Sequence, residues 1–438
     1  MKRERDRTPD GGDIEQVAGG GLLHRRLFLT RTLTLAGIAG INAGAGMTTP
    51  ARAGESVVSD TFPDWMTHQG KGRSPYGSPS PYEAGVERPL SPESPIAPGN
   101  GVSFTPLEKL NGIITPNGLH FERHHASVPE IDPAKHQLIL HGLVRQPLVF
   151  DVNALLRYPM TSHLHFIECS GNSGRNFLSR PLQGTCGTLH GLLSCAEWTG
   201  VPLSVLLDEA GLDQRGKWVI AEGADAASMV RSVPMAKALD DVIVALYQNG
   251  ERLRPEQGYP MRLLVPGWEG NINVKWVHRL KVSEGPAESR SETAEYTDLL
   301  PDGKALQFTL PMGVKSVITR PSPGLTLGER GYFELAGLTW SGHGRITRVE
   351  VSADGGKSWA DAALDDLVLP RCLTRFRIPW RWDGAPSILK SRAHDDKGNV
   401  QPTRDALVKR YSPGNIYHYN AITSWSVQEN GEIKNVFA

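Results

Sequence analysis

One cysteine sits where a sulfur atom could do chemistry. The run Phe166-Ile167-Glu168-Cys169-Ser170-Gly171-Asn172-Ser173-Gly174-Arg175-Asn176 ends an apolar strand on Cys169, then continues into a small, polar, glycine-containing turn and an arginine. A strand holds the thiolate rigidly while the turn leaves space around the sulfur, which suits a soft metal ligand or a nucleophile. A packed structural cysteine is the plain alternative, since cysteine is among the most buried residue types. Phe121-Glu122-Arg123-His124-His125 puts a guanidinium and two imidazoles in consecutive positions, a set suited to an oxyanion or phosphate. A solvated basic turn would look the same. His163 and His165 share a strand face and could bind zinc, but without further nearby ligands they read as core-edge residues. Gln257 to Arg262, Val265 to Gly270 and Val274-Lys275-Trp276 place an arginine and a lysine on adjacent predicted strands around a glycine-rich turn. That is a natural cradle for a phosphate.

The elements that must position these residues fall into distinct stretches. Between residues 106 and 300 short β-rich runs alternate with helical ones: a strand over 136–144, a short helix over 150–157, a helix over 201–210 stopping at Gly211, and strands at 261–266 and 274–277. The alternation is too irregular for a doubly wound sheet, so the fold class is α+β. From 301 to 415 short alternating strands separated by turns such as Asp354-Gly355-Gly356 predict an immunoglobulin-like β-sandwich, whose default role is packing and association. Residues 416–438 read as a C-terminal tail.

Ahead of these lie two segments. Residues 54–105, rich in proline, serine and glycine, read as an extended arm, with Trp65, Tyr76 and Tyr82 available for docking. Residues 1–53 read as a leader outside the fold: His24-Arg25-Arg26-Leu27-Phe28-Leu29, a weakly apolar run, then Ala51-Arg52-Ala53. That layout is a twin-arginine export signal, implying a periplasmic protein exported folded around a prosthetic group. A membrane anchor is disfavoured by the short, glycine-rich run. The 47 basic and 47 acidic residues cancel, which argues against nucleic acid or a charge-held membrane surface as partner. Four cysteines make no disulfide framework; Cys186 and Cys195 could pair or could be small buried hydrophobes. No C-x-x-C-H occurs, so no c-type haem is expected on this chain.

Taken in order, these motifs resemble the sulfite oxidase family, with its C-x-G-N cysteine, F-x-R-N-H motif and H-G-Y/F-P-x-R … V-K-W stretch. The resemblance implies a molybdopterin domain followed by a β-sandwich dimerisation domain, and a molybdenum–molybdopterin cofactor. It makes Cys169 the molybdenum ligand. It places Phe121, Glu122, Arg123, His124, His125, Asp225, Gln257, Arg262, Asn273, Val274 and Lys275 at the cofactor, Tyr296 at the active-site tyrosine, and Arg123 and Arg175 on the anionic substrate. The chain departs from the pattern at His124 (for Asn), Gln257 (for His), His418 (for a C-terminal arginine) and Thr188 (for a pocket tryptophan). Fewer guanidinium groups and less aromatic bulk imply a larger substrate than sulfite. Within the family the resemblance is to sulfane dehydrogenase subunits. That implies oxidation of sulfane sulfur on a sulfur-carrier protein, electron transfer to a c-type cytochrome subunit, and a homodimer of such heterodimers. A periplasmic sulfite dehydrogenase is the alternative.

Overall fold

In the computed structural model, residues 16–23, 63–92, 95 and 97–438 are described. Arg25-Arg26 and Ala51-Arg52-Ala53, on which the export reading rests, lie outside them. No helix among the described residues is long and apolar enough to cross a membrane.

Two five-stranded sheets build the first domain. One runs Val230–Pro234, Trp218–Gly223, Val277–Ser283, Leu138–Gly142, Leu148–Phe150, with a single parallel pairing between Val277–Ser283 and Leu138–Gly142. The other joins Thr161–Glu168 to Leu193–Pro202, then Ile243–Gln248, which carries both Glu251–Arg252 and Arg262–Leu264. Helix Leu203–Ala210 buries Leu203, Leu206, Leu207 and Ala210 between the sheets, a spacing that repeats once per turn. It stops at Gly211, whose φ of 72° is the left-handed cap that glycine adopts without penalty. The short helix is Val152–Leu155, capped by the Asp151 carboxylate accepting from the Ala154 amide at 2.6 Å.

The second domain is a two-sheet sandwich. Lys315–Arg320, Gly331–Trp340 and Thr374–Trp382 form one sheet; Ala360–Asp361, Ile346–Ser352, Ser387–Asp395, Ser424–Val427 and Ile433–Val436 form the other. Between them lie Trp340, Phe376, Trp380, Leu389 and Trp425, all essentially inaccessible to solvent.

Four expectations need correction. Residues 416–438 are no separate tail, because Ser424–Val427 and Ile433–Val436 complete the second sheet. The leader is not wholly outside the fold: Gln16–Ala18 and Leu22–Leu23 form a hairpin on the sandwich, with Leu22 buried. The stretch 274–276 is not a strand. Lys275 makes one isolated bridge to Arg262, Trp276 has a φ of 52°, and the strand starts at Val277. In the arm, Gly101–Ser103 pairs with Glu122–His124, but Trp65, Tyr76 and Tyr82 are all exposed, and Tyr76 is held only through its hydroxyl, which donates to the Glu251 carboxylate. The cysteines follow the buried reading: Cys186 and Cys195 are both inaccessible and unpaired, all four cysteines are free, and the Cys195 sulfur faces that of Cys372 at 3.6 Å across the domain seam.

If the terminal strands belong to the sandwich, Trp425→Ala should lower the unfolding free energy by about 3–5 kcal/mol, the cost of emptying an aromatic core site. Denaturant titration measures this, and an unchanged midpoint would make those strands accessory.

Candidate active site

Cys169 follows directly on the last residue of Thr161–Glu168, its amide donating to the Leu192 carbonyl at 3.0 Å and its carbonyl accepting from Asn172 at 2.8 Å. Both ends of the cysteine are thus fixed by backbone. Gly270 packs so close that an added Cβ would stand 3.1 Å from the Cys169 Cα, so the facing loop requires glycine here. The thiol opens onto a cavity lined largely by the loops around it. Burial pushes its pKa up while Arg123 works against that.

The residue before the cysteine carries a buried polar anchor. The Glu168 carboxylate, buried, accepts from Lys315 Nζ at 3.0 Å, Trp340 Nε1 at 2.6 Å and Asn172 Nδ2 at 2.9 Å. Lys315 and Trp340 belong to the sandwich; Asn172 belongs to the turn after Cys169. Lys315 also donates to Ser173 Oγ at 2.8 Å, which in turn lies 2.6 Å from His190 Nδ1. The second domain therefore grips both sides of the cysteine.

Across the cavity stands a cationic wall. Arg262 donates to the carbonyls of Gln257 (3.0 Å) and Asn273 (2.9 Å), and burial lowers its pKa to about 9. Burial also pulls the Lys275 ammonium well down, with Arg262 adding to the effect. Lys275 is fixed by donation to the Glu256 carbonyl at 3.0 Å and to His124 Nδ1 at 2.8 Å. His124 Nε2 then donates to Glu122 at 2.8 Å, which selects the neutral tautomer; burial holds the ring's pKa below its ordinary value. Gln257 spends its amide nitrogen on the Phe121 carbonyl at 3.0 Å. Asn273 bridges the Val265 amide (2.7 Å) and the Glu269 carbonyl (2.9 Å).

At the rim Tyr296 donates to His125 Nε2 at 2.7 Å. Burial lowers the His125 pKa to about 4 and raises that of Tyr296, so the imidazole accepts and the phenol keeps its proton at neutral pH. Tyr417 packs on the Tyr296 ring at 5.4 Å and the Arg231 guanidinium lies 5.3 Å over it.

Of the residues singled out in the sequence, Phe121, Arg123, His124, His125, Cys169, Asp225, Gln257, Arg262, Asn273, Val274, Lys275 and Tyr296 all line this one cavity. Glu122 stands behind it, paired with His124 and Arg88. Arg175 is not brought in: it is exposed, on the short helix Gly174–Phe177. The physical reason is Gly174, where an added Cβ would meet the Ile416 carbonyl at 2.0 Å, so the 416–418 segment covers this turn and Arg175 leaves on its outer side. His418 is also outside the cavity. It is buried against Glu269 Oε1 at 2.7 Å, and Glu269 is held from the other side by Arg231 at 2.8 Å. Thr188 is turned back on Thr185 within its own helix. The His163 and His165 rings lie 5.8 Å apart, tilted by 37°, and no group of three or more potential ligands surrounds a point among the described residues. Trp276, the last residue of the Val274-Lys275-Trp276 motif, also lines the cavity; sequence reasoning missed His120, Met229 and Asn271 there, and the Arg231–Glu269–His418 and Glu168–Lys315 pairs behind it. Only the adjacency of His120 and Asn271 to the named motifs pointed to any of them.

The comparisons with known proteins bear on this geometry. The family model for an oxidoreductase molybdopterin binding domain matches residues 125–291, and that for a Mo-co oxidoreductase dimerisation domain matches 307–424. Sulfite oxidase from Gallus gallus is 32% identical over 365 residues, covering 74% of this chain and 79% of the chicken protein. The chain belongs to the sulfite oxidase family. The mitochondrial sulfite oxidase of Mus musculus is 31% identical, and the match spans 72% of this chain but only 60% of the mouse protein. The crystal structure of the sulfane dehydrogenase SoxCD from Paracoccus pantotrophus contains a chain 47% identical to this one, with a TM-score of 0.83, covering 86% of this chain and 97% of that one.

The residues present fit the molybdopterin group of this family. Asp225 Oδ1, Arg262 Nε, His120 Nε2 and Asn271 Oδ1 are buried lining atoms without a protein hydrogen-bond partner, a cost that a polar ligand in the cavity would remove. Arg262 and Lys275 would supply the charge for a phosphate, and Cys169 would supply a soft donor for the metal.

Two outcomes are expected. Lys315→Met leaves Glu168 as a buried, uncompensated carboxylate and should cost about 3–5 kcal/mol in chemical denaturation; a loss under about 1 kcal/mol would contradict the anchoring. For His418, burial opposes the charged form but Glu269 outweighs it, and the pKa is raised in the fold. The stability this pair contributes is therefore complete below the unfolded value, about pH 6.5, and is lost as pH rises through the raised value. His418→Gln should remove that decline from the pH dependence of unfolding; an unaltered profile would contradict the pair.

Proposed function

We propose that this chain is a SoxC-type molybdenum subunit of a periplasmic sulfane dehydrogenase. In this reading it oxidises a sulfane sulfur carried as a cysteine persulfide on a SoxYZ-like carrier protein. Electrons then pass to a SoxD-like c-type cytochrome subunit, and two such heterodimers associate through the sandwich. Export of the folded protein follows the twin-arginine route.

One observation carries the reading. The two positions that would supply further guanidinium groups to a small substrate anion do not do so: Arg175 is exposed outside the cavity, and His418 is consumed by Glu269. Arg123 is left as the lining arginine on the Cys169 and Tyr296 side. A pocket with one such group holds a free dianion weakly but suffices for a terminal sulfur whose carrier supplies the rest of the binding. The 47% identity to a chain of the SoxCD structure supports the same assignment.

When bound, the cofactor supplies two-electron oxygen-atom transfer to reduced sulfur. The chain's own residues then have defined tasks. Cys169 must surrender its proton to become a ligand, and a bound cation reverses the effect of burial on that thiol. Arg123 orients the anionic sulfur group and stabilises negative charge as it develops on oxygen. Tyr296 retains its proton, so it can turn from His125 to donate to the reacting oxygen. Electrons leave singly, and with no C-x-x-C-H on this chain a partner must take them.

Free sulfite is the second reading, favoured by the sulfite oxidases among the relatives and by the presence of both Arg123 and Tyr296. Turnover with a persulfide-loaded carrier and a cytochrome acceptor, against free sulfite alone, separates the two. Fast turnover of sulfite without the carrier would overturn the first. Cys169→Ser should abolish turnover by either route while leaving the circular dichroism spectrum unchanged.

A further inference from the structure

The segment Gln16-Val17-Ala18-Gly19-Gly20-Gly21-Leu22-Leu23 is built to fit one place on the sandwich. Gly331–Trp340 occupies one edge of strand Thr374–Trp382, and Ala363–Leu364 occupies part of the other, at Phe376 and Arg377. The remainder of that second edge, from Trp380 onward, is taken by the N-terminal hairpin. Leu22 pairs with Trp380, the Arg381 amide donates to the Gly21 carbonyl at 2.9 Å, and Trp380 Nε1 donates to the Gly20 carbonyl at 2.7 Å. On its other side the Gly19 amide donates to Ser358 Oγ at 2.7 Å.

The fit extends to side chains. Leu22, fully buried, joins the sandwich core with Trp380 and Leu335. Gly20 and Gly21 have φ of 71° and 89°, and added Cβ atoms would stand 2.5 Å from the Ala353 carbonyl oxygen and 2.1 Å from that of Arg381. Any side chain at these two positions would expel the turn. A leucine pair behind a glycine turn, laid on an open strand edge, is specific β-augmentation rather than incidental contact.

This slot exists only once Thr374–Trp382 has paired and the loop of Ala353 and Ser358 has closed. Arg25 and Arg26 follow Leu23 by two and three residues in the sequence. We propose that Gln16–Leu23 is an intramolecular docking strand that ties the twin-arginine motif to the folded sandwich, and that export requires the strand to be released. The gating rests on the export reading given above; the docking does not.

Hydrogen exchange and pulse-chase export of the full chain test both parts. Leu22→Asp puts a carboxylate into the core and Gly21→Val collides with the Arg381 carbonyl; both residues lie in the leader, so neither change touches the sandwich's own sequence. Each should speed exchange of the Arg381 amide at least about tenfold and raise the rate of export severalfold. An unchanged Arg381 amide would overturn the docking. A freed amide with unchanged or slower export would overturn the gating. Normal export of the Arg25→Lys, Arg26→Lys chain would overturn the export reading and the gating with it, leaving the exchange result to decide the docking alone.

Discussion

A buried ion pair across the domain seam organises this molecule. Glu168 and Lys315 are both about 1% exposed; Glu168 also accepts from Trp340 and Asn172, and Lys315 also donates to Ser173. Two charges taken out of water are costly, and a hydrophobic pair of similar size could stabilise the seam as well or better. What a hydrophobic pair could not do is fix direction. The carboxylate is one residue from the cysteine, and its three donors set the path of the chain into and out of the turn. The sandwich thus does more than pack: it supplies two of the three donors that hold the strand end next to Cys169.

The cavity opposite follows a consistent electrostatic logic. Burial depresses the pKa of Arg262 and Lys275 and keeps His120, His124 and His125 neutral, so positive charge is concentrated on a few fixed donors rather than spread over the imidazoles. Those cations face each other without a carboxylate bonded to either one, which is unfavourable until an anion arrives. Neutral histidines serve as hydrogen-bond relays: His124 passes from Lys275 to Glu122, and His125 holds the Tyr296 proton. The wall toward Cys169 is different. There Arg231, Glu269 and His418 satisfy one another behind the surface, and little charge is left to face a small anion.

Local chemistry was the part legible in the sequence. A cysteine at a strand end before a glycine turn and a helix stopped by Gly211 depend on neighbours within a few residues, and the structure places them as expected; the Arg–Lys pair also comes together, although Lys275 sits on an isolated bridge rather than a strand. Partnerships between distant residues were not legible. Glu168 and Lys315 are 147 positions apart, and nothing in the pattern around either announces the other. Arg175 misled for the same reason: its spacing from Cys169 is suggestive, but its direction is set by Ile416 packing on Gly174. The strands at 424–427 and 433–436 read as a tail because each is only four residues long and borrows its core from the far sheet. The hairpin at 16–23 was hidden by the export motif beside it.

The account stands on Cys169 as the metal ligand held by this frame. X-ray absorption at the molybdenum edge, on protein purified with its cofactor, tests that directly. Wild-type protein should show one sulfur neighbour at the metal more than Cys169→Ser, with the remaining sulfurs unchanged. Equal sulfur counts in the two proteins would contradict it.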